Sequence, residues 1–274
     1  MERQRSRVEF SVFTKPWPSE PAARLAEKVH AFGFDGIELP VRDGFQVEPS
    51  KVMQLLPAWS REFADAGLRI YSIAGPTDEP VFAACAEAGI PVIRIMLDID
   101  FREGYWESEK RIRAYLEGLH PLCERYGVKV GIQQHVGRTR VKTSAGLLRF
   151  LEHTDPLRFG AIWDAGHDGL RGEGPEIGLD MVWLHLCMVN LKNACYVRAD
   201  RPDAPHAEWK LRFTTGREGM ASWPAVAAYL QARSYSGVVC LTAEYDEEAH
   251  VDRYVAEDLA YAKQLFASSE KPSG

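Results

Sequence analysis

Asp164 and His167 are the residues whose spacing first suggests chemistry, within F-G-A-I-W-D-A-G-H from Phe159 to His167. A short apolar run of this kind reads as a strand buried in a parallel sheet. An acid at the C-terminal end of such a strand lies where parallel α/β enzymes place their reacting groups. A carboxylate beside an imidazole can hold a divalent cation and touch a polar substrate. A plainer role is equally open: Asp164 caps the next helix and His167 is a loop residue. The other apolar runs bear on that choice. Gln133, Gln134 and His135 close one, Asn190, Lys192 and Asn193 another, and Glu244 a third. Four successive runs ending in oxygen or nitrogen donors are a stronger signal than any one alone. Carboxylate and amide oxygens suit Mg2+ or Mn2+.

The elements that must position these residues alternate along the chain. Strands are expected at Val8 to Thr14, Gly36 to Val41, Leu68 to Ile73, Val92 to Ile99, Val128 to His135, Phe159 to Asp164, Met188 to Lys192 and Gly237 to Glu244. Helices are expected between them, at Ser19 to Phe32, Ser50 to Ala66, Thr77 to Gly89, Glu107 to Tyr126, Ser144 to His153, Asp180 to Leu186 and Trp223 to Ala232, with a last one at Ala249 to Ala267. Several of them end at a glycine, such as Gly33, Gly67, Gly89 or Gly127, as helix C-termini do. Val197 to Thr215 reads as a polar loop, longer than connecting loops usually are. Eight strands alternating with helices predict a single (β/α)8 TIM barrel over residues 1–268 and a mobile tail over 269–274. A doubly wound open sheet is the alternative, and it lacks a G-x-G-x-x-G after the first strand.

Composition narrows the partners. The chain has 274 residues, a formal net charge of -6 and no long Lys/Arg run. Nucleic acid demands clustered positive charge, so none is expected as a partner. Nothing approaches the roughly 18 apolar residues of a membrane span. The N-terminus has charges but no apolar core of a signal peptide. Five scattered cysteines without a C-x-x-C pair point to reduced thiols and a cytoplasmic location.

The strand-end motifs carry a resemblance. G-F-D-G-I-E-L at 33–39, V-K-V-G-I-Q-Q-H at 128–135, W-D-A-G-H at 163–167, V-N-L-K-N at 189–193 and G-V-V-C-L-T-A-E-Y at 237–245 resemble the xylose-isomerase-like TIM-barrel superfamily. That superfamily includes sugar phosphate isomerases/epimerases, ketose 3-epimerases, inosose dehydratases and a family of apurinic endonucleases. The resemblance implies one divalent metal, Mn2+ or Mg2+ first and Co2+ or Zn2+ next, at Gln133, Asp164, Asn190 and Glu244. Only Asp164 and Glu244 keep the family's residue types, so a weakened metal site is implied. Thr242 competes with Glu244 for the last position.

The resemblance also implies a small keto-sugar or cyclitol substrate. Proton abstraction beside its carbonyl then gives isomerisation or epimerisation, with dehydration as a close second. Gln133 cannot act as a base, so a two-glutamate epimerisation does not fit. The catalytic candidates are Glu38, His135 and Glu244, since a free imidazole titrates near the optimum for base work. Glu38 has an alternative role in a salt bridge to Arg94, and His135 in holding a loop carbonyl. His167, Lys192, Trp17 and Arg94 are the substrate-binding candidates. Phe13, Trp163 and Tyr245 could line a sugar ring, though most aromatics are core. A homo-oligomer is compatible with the sequence. A non-catalytic sugar- or partner-binding barrel with a decayed metal site is the rival of another class.

Overall fold

The alternation of apolar runs and amphipathic segments closes on itself. The computed structural model describes residues 8–267, so the expected tail lies outside the described residues. In chain order the elements are β1 (Glu9–Phe13), α1 (Ala22–Phe32), β2 (Gly36–Pro40), α2 (Val52–Asp65), β3 (Arg69–Ala74), α3 (Glu79–Ala88), β4 (Val92–Ile95), α4 (Tyr105–Tyr126), β5 (Lys129–Gln133), α5 (Ser144–Leu151), β6 (Phe159–Asp164), α6 (Ala165–Gly169), α7 (Pro175–Val182), β7 (Leu186–Leu191), β8 (Asn193–Arg198), β9 (Trp209–Thr214), α8 (Trp223–Ala232), β10 (Val238–Leu241) and α9 (Val251–Ala267). Strands β1 to β7 and β10 form a closed parallel barrel in sequential order, with β10 pairing back onto β1. This is the expected TIM barrel.

Side chains alternate across each strand, so one set points outward to the helices and the other into the barrel. The outward set forms the large core, with Ile37, Leu39, Ile93, Val130, Ile132, Ala161, Trp163, Val189 and Val239 packed against the helix faces. A separate small cluster of Phe13, Ala74, Ile162, Met188 and Cys240 comes from the inward set. Inward positions nearer the C-terminal strand ends are polar: Glu38, Ser72, Arg94, Gln133, Asp164 and Asn190 are all buried. A register shift between Ala161 and Ile162 sets Asp164 opposite Asn190.

Helix ends follow the sequence signals. Gly33 and Gly89 close α1 and α3 with φ of 88° and 68°, a conformation that glycine adopts without steric cost.

Four expectations need correction. Residues 197–215 are not a plain loop: β8 and β9 pair antiparallel from Asn193↔Thr214 to Arg198↔Trp209. The signal was the strict alternation of W-K-L-R-F-T. The helix expected at Asp180 to Leu186 begins earlier, at Pro175, and yields to a 3-10 turn at Trp183–His185. The fourth strand ends at Ile95 rather than Ile99. The last barrel strand ends at Leu241, because Ala243 turns the chain with a φ of 53°. Glu244 therefore sits on the loop beyond β10.

Candidate active site at the barrel mouth

The inward polar side chains form a connected row across neighbouring strands. Glu38 is fully buried, and its Oε1 accepts from Arg94 Nε at 2.8 Å and from Ser72 Oγ at 3.0 Å. The Arg94 guanidinium lies over the Phe13 ring, 4.7 Å from its centroid, and donates through Nη1 to Gln133 Oε1. Gln133 Nε2 donates to Asp164 Oδ2 at 2.7 Å. Asp164 Oδ1 accepts from the His167 backbone N at 3.0 Å, so Asp164 does cap α6. Gln134 points the other way and bonds the Asp164 backbone on both sides. Asn190 is fully buried, and neither atom of its amide has a hydrogen-bond partner.

Lys192 is the centre of a second group. Only 4% of the residue is exposed. Its ammonium pairs with Glu244 Oε2, lies 3.4 Å from His167 Nε2 and sits 4.8 Å from the centre of the Phe213 ring on β9. Lys15 pairs with the other oxygen of Glu244. Burial pushes the Glu244 carboxyl up, but the Lys192 and Lys15 ammoniums more than reverse this and hold it well below the usual carboxylate range. Gly166 of the W-D-A-G-H motif packs on Lys192: a Cβ there would lie 2.9 Å from Lys192 Cγ and 3.0 Å from its carbonyl carbon and oxygen. The glycine thus leaves the passage through which the lysine stem reaches the mouth.

Both histidines are held neutral. Burial, then the Lys192 charge, lowers His135 to about 4 and His167 well below its ordinary value. Their ring centres are 4.1 Å apart. His135 Nδ1 accepts from the Gly137 backbone N at 3.0 Å, which puts the proton of the neutral ring on Nε2. His135 therefore offers a donor rather than a base, contrary to the role the sequence suggested for it. His167 Nε2 faces the Lys192 ammonium and is its acceptor.

α6 is braced from behind. Trp163 Nε1 donates to Ser144 Oγ at 3.0 Å, and Ser144 Oγ donates to Asp168 Oδ1 at 3.0 Å. This chain ties β6, α5 and α6 together behind His167.

A cavity of about 90 Å3 opens at the mouth, lined by Lys15, Arg42, Arg94, Gln133, His135, Lys192, Thr242 and Glu244, with Phe13 and Met96. A cleft of about 620 Å3 adjoins it and shares Lys15 and Glu244 with it. Lys210, Leu211 and Phe213 of β9 wall the outer cleft.

Gln133, Asp164, Asn190 and Glu244 thus gather at one rim, linked through hydrogen bonds, strand register and the His167–Lys192 contact. Arg94, Lys192, His135 and Glu244 face the cavity. Glu38 does not line it; its carboxylate holds Arg94. Trp17 is a core residue: its indole donates to Asp252 at 2.8 Å and packs beside Phe32. Trp163 is likewise buried behind the sheet. Sequence reasoning missed Lys15, Arg42 and Phe213. Only the closing of the ring brings the first and last strands, and the hairpin, against Lys192.

A sequence profile described as "Xylose isomerase-like TIM barrel" matches residues 26–265. The chain belongs to this family. Similarity to individual members of the xylose isomerase-like family is lower. An inosose dehydratase of Lacticaseibacillus casei is 26% identical over 151 residues, which are 53% of this chain and 49% of that protein. The chain thus spans about half the length of the curated relative it matches. The probable 3-DHS dehydratase AsbF of Bacillus anthracis superposes with a TM-score of 0.71 at 16% identity, over 93% of this chain and 99% of that one. A D-allulose 3-epimerase of Methylomonas sp. superposes with a TM-score of 0.70 at 14% identity, over 95% and 98%. At such identities the solved structures establish the shared fold.

The donor set of this xylose isomerase-like barrel does not fit a divalent ion. Among the described residues no group of three or more His, Cys, Asp or Glu side chains is placed to hold one. Both oxygens of Asp164 and both of Glu244 already accept from protein donors, and Gln133 Oε1 accepts from Arg94. Of the four implied ligands, only Asn190 has an uncommitted oxygen. Three of the four residues that the resemblance implies as ligands are therefore engaged by protein donors. Finally, no helix among the described residues is long and apolar enough to cross a membrane.

Proposed function

We propose that this chain is a lyase that removes water from a small polyhydroxylated ketone, a keto-sugar or cyclitol. One observation carries the choice: Glu244 is the single carboxylate among the residues lining the inner cavity. Inverting a stereocentre through two opposed bases needs a second acid–base group on the other face. Here the fifth strand supplies Gln133, an amide fixed between Arg94 and Asp164. Elimination needs only one such group.

The substrate carbonyl oxygen accepts from the Lys192 ammonium, which draws that donor away from Glu244. The freed carboxylate takes the proton beside the carbonyl. The C–H electrons form the enolate, whose oxygen Lys192 stabilises electrostatically. The enolate then re-forms the carbonyl and expels the hydroxyl on the neighbouring carbon. Protonated Glu244 returns its proton to that hydroxyl, so water leaves from the same face and an enone remains. His135 Nε2–H and Arg94 serve as donors to the remaining hydroxyls. The match to an inosose dehydratase supports the same choice. Epimerisation by a single base that reprotonates the enolate is the second reading, supported by the epimerase fold neighbours.

The test is to incubate the protein with inososes and 3-keto-sugars in D2O and follow enone absorbance and product mass. An enone formed with loss of water is the expected result. A new stereoisomer carrying one solvent deuterium, with no enone, replaces dehydration by epimerisation. Saturable binding of a keto-sugar without exchange or turnover makes the barrel a binding protein.

A further inference from the structure

The resemblance implies a divalent cation at the strand ends, yet side-chain cations there already outnumber the carboxylates. Glu38, Asp164 and Glu244 supply three carboxylates, and Arg42, Arg94, Lys15 and Lys192 supply four cations. A dication placed among them would sit within a few ångströms of like charges, two of them on the buried Arg94 and Lys192, where water screens such repulsion little. We propose that the Lys192 ammonium is the resident cation of this site, standing in for the divalent metal, so that the protein holds its substrate oxygen without a metal ion.

Three independent features bear on this. Lys192 is buried and reaches both Glu244 and His167, so its charge is at the centre of the polar cluster. Phe213 presents its ring face to the ammonium, a contact that stabilises a cation and offers no metal ligand. Gly166 is the residue type that lets the lysine stem pass the W-D-A-G turn. Glutamine at 133 complements this arrangement: its amide oxygen accepts a hydrogen bond from Arg94 while its NH2 donates one to Asp164. A glutamate could do only the first. The site is built as a hydrogen-bonded network that terminates on a fixed ammonium.

Metal binding can be measured without turnover, so this proposal stands or falls separately from the dehydratase assignment, although the role of the ammonium on a substrate oxygen rests on it. The full-length protein is desalted, assayed for bound metals by plasma emission, and titrated with Mn2+ by electron paramagnetic resonance and thermal shift. The expected result is metal far below one ion per chain, no saturable Mn2+ binding and no shift. Gln133→Glu combined with Lys192→Met should bind Mn2+ saturably, with a Kd at least about tenfold below the highest concentration at which wild type shows no binding, because one repelling charge is gone and one ligand added. One Mn2+, Mg2+, Co2+ or Zn2+ bound per wild-type chain with micromolar affinity overturns the proposal, whether or not the double variant folds. If a keto-sugar is turned over, activity should survive chelation. Loss on chelation with recovery on adding Mn2+ also overturns it.

Discussion

Glu244 is a carboxylate clamped by two ammoniums, and its service as acid–base group depends on release from one of them. Glu244→Gln keeps the hydrogen-bonding shape but cannot carry a proton. Turnover of an active keto-sugar should fall about 10²–10⁴-fold, with an unchanged circular dichroism spectrum. Unaltered turnover would remove Glu244 from the mechanism. Asp168 makes a different prediction. Burial pushes its carboxyl up to about 6, against which the Ser144 hydroxyl works only in part. Its folded value lies above its unfolded one, so the folded state binds more protons between about pH 4 and 6. Any stabilisation from that proton is present below pH 4 and lost as pH rises through 6. At pH 7.5 the buried charge is a cost that Asp168→Asn removes while keeping an acceptor for Ser144. The variant should melt a few degrees above wild type at pH 7.5, with the gap closing by pH 4.5; a constant gap would show that the charge is not the cause. Individual residue identities at the strand ends were legible because polar groups closing apolar runs stand out. Their roles were not, since the Gly137 N–H that disqualifies His135 as a base is a backbone contact no side-chain pattern announces.

α6 spans only Ala165–Gly169, yet it fixes Asp164, His167 and the passage for Lys192. Gly166→Ala should push the Lys192 stem aside. Turnover should drop on the order of 10²-fold from misplacement, and stability by about 1–3 kcal/mol in urea unfolding. Gly118→Ala on α4 is the control: its added methyl meets open space, and helix propensity predicts a gain of about 0.5–1 kcal/mol. If both variants behave alike, the close approach at Gly166 has no special importance. Most elements were legible because apolar periodicity and terminal glycines mark them locally. The hairpin β8–β9 was read as a loop because its polar composition outweighed a six-residue alternation. Pairing with a partner strand made that alternation decisive, and it also brought Phe213 over Lys192.

Across the whole molecule, the buried Glu38–Arg94 pair joins the second and fourth strands and holds the site to the barrel wall. Arg94→Met leaves Glu38 buried and uncompensated, which should cost about 3–5 kcal/mol in urea unfolding. Glu38→Gln together with Arg94→Met removes the orphaned charge and should recover most of that loss. Equal destabilisation by the single and double variants would mean that the pair is not what stabilises the mouth. The sequence by itself determined the barrel and the positions that meet at its rim, because both rest on the local period of apolar residues and on strand-end composition. The tertiary structure alone decided which charges face one another. Closure brings Lys15 after the first strand, Lys192 after the seventh and Glu244 after the last within bonding distance, and Coulomb forces between residues so far apart in the chain depend on separation in space.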